Sequence, residues 1–171
     1  AYYQLQGKNP DGSANPDYEA LVDVDNLIDY MMVIFYSGNL DGPISAKLNN
    51  QAPNNFFAIR DRTGNGGGFK FIMRDAEHSL LDVNESRIGP YQLGDLFAKF
   101  NPQYLHQQLM ANAEYRLRFA DHVRKALGPG GALSPEVAQA RFRSEADQIA
   151  LAIVAESARW GDAQRPGSPL T

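Results

Sequence analysis

The chain has 171 residues, a formal net charge of −4, 43% apolar residues and 21% charged residues. This composition predicts one folded domain with a sizeable core and excludes an extended disordered protein. The negative net charge argues against a role in coating nucleic acid, and no apolar run approaches the length of a membrane span. We therefore expect neither a nucleic-acid partner nor a membrane-spanning segment, and the sequence carries no signal for an oligomeric state.

The chain has no cysteine and only three histidines. Disulfides, cysteine nucleophiles and thiolate metal sites are excluded, and a histidine-rich zinc site is not expected. Any chemistry must therefore rest on carboxylates, amides and backbone groups. These are the ligands that suit hard cations such as Mg²⁺.

The first predicted helix follows a loop-rich segment, residues 1–22, that is rich in Gly, Asn, Pro and Asp. Asp23 or Asp25 can cap its start, and Ser37-Gly38-Asn39 is a typical end. Apolar residues recur at helical spacing and nearly surround the helix axis, which predicts deep burial. These residues are Leu27, Ile28, Met31, Met32, Val33, Ile34 and Phe35.

A loop from Asn39 to Asn54 leads into a predicted β-hairpin. Its strands are Asn55–Arg60 and Phe69–Arg74, and Phe69, Phe71 and Met73 share one face of the second strand. The Gly-rich connection, residues 61–68, lacks the spacing of a dinucleotide-binding or Walker motif. A β-turn therefore explains these glycines better than a phosphate cradle.

The remainder of the chain is predicted to be helical, and the whole is predicted to be an α+β, mostly helical domain over residues 1–171. Within it, residues 23–80 form the helix, loop and hairpin segment, residues 91–160 the helical segment and residues 161–171 a tail. Ser134 and Pro135 have the residue types of a helix N-cap and first turn. The predicted helices are Tyr91–Phe100, Pro102–Met110, Ala113–Leu127 and Ser134 to about Trp160, the last with an apolar face of Val137, Phe142, Ala146, Ile149, Ala150, Ile153 and Val154.

Three polar residues stand out by their positions: Asp41 in the loop after the apolar helix, Asn55 at the start of one strand and Asp75 at the end of the other. If the strands pair, Asn55 and Asp75 lie at the open end of the hairpin, and the Asp41 loop leads into that end. One Asp as base, one Asn and one Asp as metal ligands form the residue set of kinase-type phosphoryl transfer. The order matches, but Asn55 lies farther from Asp41 than in the usual catalytic loop.

The same residues also have ordinary structural interpretations, because Asp and Asn are the commonest turn residues. Asp41 can form a loop turn, Asn54 and Asn55 can begin a strand, and Asp75 can cap a turn. Glu77 and His78 are a possible metal pair, although adjacent strand residues point to opposite faces. A structural or supporting role is expected for both.

Six segments together resemble the spore-coat protein H (CotH) kinase family. The resemblance covers nearly the whole chain and rests on several long segments of similar sequence that occur in the same order. The segments are residues 23–30, 35–41, 54–60, 68–79, 104–109 and 156–162.

The resemblance implies an atypical protein-kinase-like fold, here the C-terminal lobe, with a hairpin that carries the metal site and a C-terminal helical bundle. It implies transfer of phosphate from ATP, with Mg²⁺, to Ser of partner proteins such as coat or surface proteins. The implied location is a bacterial spore coat, a cell surface or a secreted assembly.

Carried over to this sequence, Asp41 resembles the catalytic Asp, and Asn55 and Asp75 resemble the metal-binding residues. Asn39, Asn54 and Glu77 would be close neighbours. Many family members have Asp where this chain has Glu77; a bacterial subgroup reads Asp-Ala-Glu, as here.

A kinase also needs a lobe whose Lys holds the ATP phosphates. Neither Lys8, which lies in a loop, nor Lys47, which follows the catalytic Asp, is placed to do this, so nucleotide-binding residues are not identified. We therefore expect this chain alone to bind ATP weakly and to be inactive. Arg60, Arg62 and Lys70 are expected to be a solvated hairpin face. Among the late family residues Glu156, Arg159, Trp160 and Asp162, we expect an ion pair between the first two and packing of the tryptophan.

Two other functions remain open. The first alternative is a non-catalytic, pseudokinase-like scaffolding module of a secreted or surface assembly. A third alternative is an enzyme that uses the same fold for another ATP-dependent transfer, such as that of AMP or of an amino acid, and the mass of the product would separate these reactions.

Overall fold

The computed structural model describes residues 1–63, 66–91 and 100–164. It confirms an α+β, mostly helical fold, which divides into two compact units, Ala1–His122 and Val123–Thr171. The helix predicted over 91–100 falls almost wholly on residues outside the described part. The elements are α1 (Val24–Ser37), a 3₁₀ turn (Ala46–Leu48), β1 (Phe56–Ile59), β2 (Lys70–Met73), α2 (Pro102–Leu109), α3 (Ala113–Leu127) and α4 (Pro135–Gln164).

Helix α1 is the centre of the first unit. Asp23 caps it by accepting a hydrogen bond from the Asn26 N–H at 3.0 Å. Of the two predicted cap residues, Asp23 and Asp25, the first is therefore the cap. The predicted burial on all sides is wrong, because Val33 is 37% exposed, so α1 is buried along one face only. The core around it consists of Tyr2, Val24, Leu27, Ile28, Tyr30, Met31, Ile34, Phe71, Leu109 and Tyr115.

The predicted hairpin is confirmed as an antiparallel pair of strands in which Ala58 lies opposite Phe71. Because side chains alternate along a strand, Phe71 points into the core while Phe57 and Ile72 form an exposed outer face. The Asn26 side chain of α1 holds β2 in place. Its Oδ1 accepts from the Phe71 N–H at 2.6 Å, and its Nδ2 donates to the Phe71 carbonyl at 3.2 Å.

Gly68 allows the chain before β2 to lie directly against the segment before α1. Its φ is +101°, and a Cβ atom there would be 2.4 Å from the backbone nitrogen of Val22. The Phe69 N–H donates to the Leu21 carbonyl at 2.9 Å, and the Asp23 N–H donates to the Phe69 carbonyl at 3.0 Å. The hairpin is therefore attached to both the cap and the body of α1.

Helices α2 and α3 bring a buried polar pair into the core. The His106 Nδ1 atom and the Tyr115 hydroxyl are 2.7 Å apart, and both side chains are buried. Burial lowers the pKa of His106 to about 4 and raises the pKa of Tyr115 above its usual range. The imidazole is therefore neutral at neutral pH.

The first part of α3 is joined to α1 by an ion pair. The Arg118 guanidinium donates to both carboxylate oxygens of Asp25, at 2.7 and 2.6 Å, and also to Gln6 Oε1 at 2.8 Å. Two parallel bonds from a planar guanidinium fix the orientation of both side chains. His122 adds a contact of 3.1 Å to the same Asp25 carboxylate.

In the second unit, α4 begins as predicted and ends later than predicted. Pro135 is its first residue, and the Ala138 N–H donates to the Ser134 carbonyl at 2.9 Å, while the buried Ser134 hydroxyl has no hydrogen-bond partner among the described residues. The helix continues through Gly161 to Gln164. Its apolar residues are exposed: Phe142 is 70% and Val154 is 67% exposed. Assembly of α4 into a helical bundle therefore stays a prediction.

The end of α4 also differs from expectation. The Arg159 guanidinium lies over the Trp160 ring, 4.9 Å from its centroid, and the described residues show no ion pair between Arg159 and Glu156. Trp160 is 49% exposed, so the predicted packing of its ring is not seen. No helix in the described ranges is long and apolar enough to cross a membrane.

Candidate active site

The loop that follows α1 reaches the open end of the hairpin. Gly42 lies against the start of β1, since a Cβ atom there would be only 3.3 Å from the Asn55 carbonyl oxygen. The Asn54 N–H donates to the Pro43 carbonyl at 3.0 Å. A residue without a side chain at position 42 thus lets Asp41 approach Asn55.

The Asp41 carboxylate is held by hydrogen bonds at both oxygens. The Ser45 hydroxyl donates to Oδ1, and the Asn55 amide donates to Oδ2 at 3.0 Å. The Asp41 N–H in turn donates to Asn39 Oδ1 at 2.9 Å. These hydrogen bonds fix the direction of the carboxylate, and Asp41 is 8% exposed.

These contacts keep Asp41 ionised. Burial raises its pKa, but hydrogen bonds from the side chains of Ser45 and Asn54 and the positive charges of Lys47 and His78 outweigh burial and lower it. Both asparagines before β1 lie close to the carboxylate, and hydrogen-bond geometry assigns the direct contact to Asn55. The net result is a pKa below the usual range for Asp.

The Asn55 amide also reaches the end of β2. Its Nδ2 lies 3.5 Å from the Asp75 carbonyl oxygen, and the Arg74 N–H donates to the Asn55 carbonyl at 3.3 Å. Asn55 and Asp75 have φ values of +50° and +52°, which only a small share of non-glycine residues adopt. Such conformations cluster at functional sites. The Asn55 side chain thus lies between the Asp41 carboxylate and the Asp75 backbone carbonyl.

The donor set at this cluster fits a small, hard cation. The Asn55 Nδ2 is used by its contacts to Asp41 and Asp75, which leaves the carbonyl oxygen of the amide as the free end. The Asp75 carboxylate is exposed and has no partner among the described residues. Mg²⁺ binds one or two protein oxygens and completes its octahedron with water and phosphate oxygens. In the described ranges, no three acidic or histidine side chains form a metal-binding group.

The predicted neighbours differ in what they do. Asn39 is fully buried and orients the Asp41 backbone, while its Nδ2 has no partner. Glu77 is exposed, and its Oε1 lies 3.0 Å from His78 Nε2. The expectation that Glu77 and His78 point to opposite faces is wrong, because β2 ends at Met73 and the two side chains contact each other; a supporting role for both stays a prediction.

Sequence reasoning missed two features of the site. Ser45 is fully buried and directly contacts the Asp41 carboxylate, yet a serine in a loop gives no signal of its own. Lys47 and His78 are 31 positions apart in sequence and meet beside Asp41. That contact depends on the path of the loop, which hydrophobic periodicity does not predict.

Comparison with known proteins supports the kinase resemblance. A sequence model of the family described as CotH kinase protein matches residues 2–167, which is nearly the whole chain. Neither the comparison with curated proteins nor that with solved structures gave a match. The family match covers the Asp41 loop, the hairpin and α4 together. The chain belongs to the CotH kinase protein family.

Proposed function

We propose that the chain carries the phosphate-transfer site of a protein kinase that moves the γ-phosphate of ATP to a Ser hydroxyl of a partner protein. Asp41 is the catalytic base, and Asn55 and Asp75 bind the metal. The observation that carries this proposal is the Asn55 amide, which contacts both the Asp41 carboxylate and the Asp75 backbone. It joins the three residues into one cluster, and membership of a kinase family supports the same reaction.

Asp41 suits the role of base because it is ionised and fixed. Its lowered pKa makes it a weak acceptor of a full proton, so it orients the incoming hydroxyl and accepts its proton as the new bond forms. The Ser oxygen bonds to phosphorus, its proton passes to the Asp41 carboxylate, and ADP leaves with the electron pair of the broken P–O bond. Bound Mg²⁺ would neutralise phosphate charge during this exchange.

The outer face of the hairpin offers a surface for the nucleotide base. Phe57 is two residues from Asn55 on β1, lies opposite Ile72 of β2, and both are about half exposed. Arg74 lies over the Phe57 ring, 5.2 Å from its centroid. An exposed apolar face beside the metal ligands suits a flat aromatic base, because stacking and apolar burial both favour it.

The test is transfer of phosphate by a longer protein that contains this chain, as wild type and as two near-isosteric variants. The protein is incubated with Mg-ATP and a library of Ser-containing peptides, and products are identified by mass. We expect addition of phosphate by the wild type and a loss of at least about 100-fold in Asp41→Asn and Asp75→Asn. Asp17→Asn, which changes the same group at an exposed position outside the site, is the matched control.

Each alternative has its own outcome. Addition of AMP would mean that the fold transfers a different group, and absence of any modification by a longer, folded protein would favour the scaffolding function. Near-normal transfer by folded Asp41→Asn would show that Asp41 is not the base. Circular dichroism establishes that each variant is folded.

A further inference from the structure

A lysine and a histidine from separate segments meet beside Asp41. Lys47 lies in the 3₁₀ turn, whose Ala46 N–H donates to the Leu40 carbonyl at 2.7 Å. The Leu40 N–H donates to the His78 carbonyl at 3.0 Å. Both segments are therefore attached to the residue that immediately precedes Asp41, and this backbone arrangement fixes where Lys47 and His78 lie.

The positive charge of Lys47 is fixed in place but not neutralised. Its Nζ contacts His78 Nε2, and this contact orients the ammonium group. Among the described residues Lys47 has no carboxylate within ion-pair distance. Asp41 itself is not an ion-pair partner, and its two oxygens are already bound by Ser45 and Asn55.

The acid in direct contact with His78 is Glu77. Its carboxylate lies 3.0 Å from the His78 imidazole nitrogen and is 54% exposed. An exposed side chain of this kind can turn toward solvent at small cost, because surface contacts between charges contribute little. The cation of Lys47 is thus available to a ligand from solution.

We propose that Lys47, oriented by His78, binds the phosphoryl group that is transferred at Asp41. This inference rests on the proposed function and adds a phosphate-binding residue to it. During transfer, negative charge is spread over the three outer oxygens of the phosphoryl group, and a compact ammonium charge stabilises it. The lowered pKa of Asp41 agrees with a nearby cation whose field reaches the carboxylate.

The first test measures anion binding without nucleotide or metal. Inorganic pyrophosphate is titrated at low salt into the full chain and followed by calorimetry and by the ¹⁵N shifts of the His78 imidazole. We expect saturable binding that weakens with salt, and an affinity about tenfold lower in Lys47→Met. Lys47→Arg, which keeps the charge, should retain most of the affinity. Lys125→Met, an exposed lysine on α3, removes the same charge and should bind like the wild type.

The inference is overturned if the wild type does not bind pyrophosphate, or if Lys47→Met and Lys125→Met bind it equally well. Lys47 is exposed, so loss of folding is not expected to obscure the result.

Phosphate transfer separates this inference from the proposed function. If the chain binds pyrophosphate through Lys47 but a longer, folded protein that contains it modifies no peptide, the anion site is supported and the kinase function is contradicted. If Lys47→Met transfers phosphate as well as the wild type, the proposed function is supported and the role of Lys47 is overturned.

Discussion

Removal of the Ser45 hydroxyl tests how Asp41 is kept ionised in a buried position. The hydroxyl donates to Asp41 Oδ1 and Ser45 is fully buried, so the substitution removes a buried donor from this carboxylate. A hydrogen bond to a charged group contributes about 1.5–3 kcal/mol, so Ser45→Ala should lower the free energy of unfolding by about that amount at pH 7. The pKa of Asp41 should rise, because burial raises it and the Ser45 hydrogen bond that lowers it is lost.

The sign of the pH dependence follows from this pKa. In the wild type, the lowered pKa stabilises the fold above the usual pKa of Asp, and this contribution disappears as the pH falls through the folded-state value. The cost of Ser45→Ala should therefore be largest at neutral pH and should shrink in acid. Unfolding in urea is followed by near-ultraviolet circular dichroism of the buried tyrosines, Tyr2, Tyr30 and Tyr115, which lie in the first unit.

A matched control exists in the same unit. The Ser13 hydroxyl donates to Asp11 Oδ1 at 2.6 Å, but both residues are exposed, so Ser13→Ala should leave stability almost unchanged. Equal stability of Ser45→Ala and the wild type at pH 7 would refute the reasoning. So would a loss of stability that is the same at neutral and acid pH.

Two substitutions and one titration test other parts of the fold. Arg118→Lys removes the two-bond contact with Asp25 and should cost about 1 kcal/mol in urea unfolding, since both side chains are partly exposed. Gly68→Ala places a Cβ atom 2.4 Å from the Val22 nitrogen, and amide hydrogen exchange should show loss of protection in the hairpin. His106 should titrate near pH 4 by NMR, and stability should fall as pH decreases from 6.5 towards 4, because the unfolded imidazole takes up the proton first; titration near 6.5 would contradict its burial.

The helix and hairpin near the site were predictable because residue types at their ends and the spacing of apolar residues within them indicated the same elements. Asp23 has the residue type of a cap, and the apolar spacing after it is helical, so α1 was expected within one residue of its observed start. The antiparallel pairing of β1 with β2 then placed Asn55 and Asp75 at one end of the hairpin. Strand alternation and turn composition are sufficient for that conclusion.

The remaining features depend on contacts between distant segments. Ser45 and Lys47 acquire their roles only because the loop after α1 folds back on itself, and no periodic pattern encodes that path. Ser134 is correctly predicted to stand directly before α4, but its residue type does not predict that its hydroxyl lacks a partner. The exposed apolar residues of α4 have helical spacing, but spacing alone does not say what covers them.

The Asn26 side chain has a consequence for the two-stranded sheet. Its amide offers one donor and one acceptor to the Phe71 backbone, which is the pattern that a neighbouring strand would offer. A side chain of α1 thus imitates a third strand at this position of β2. Unpaired strand edges recruit strands from other molecules, and α1 therefore protects this one against aggregation by edge-to-edge pairing.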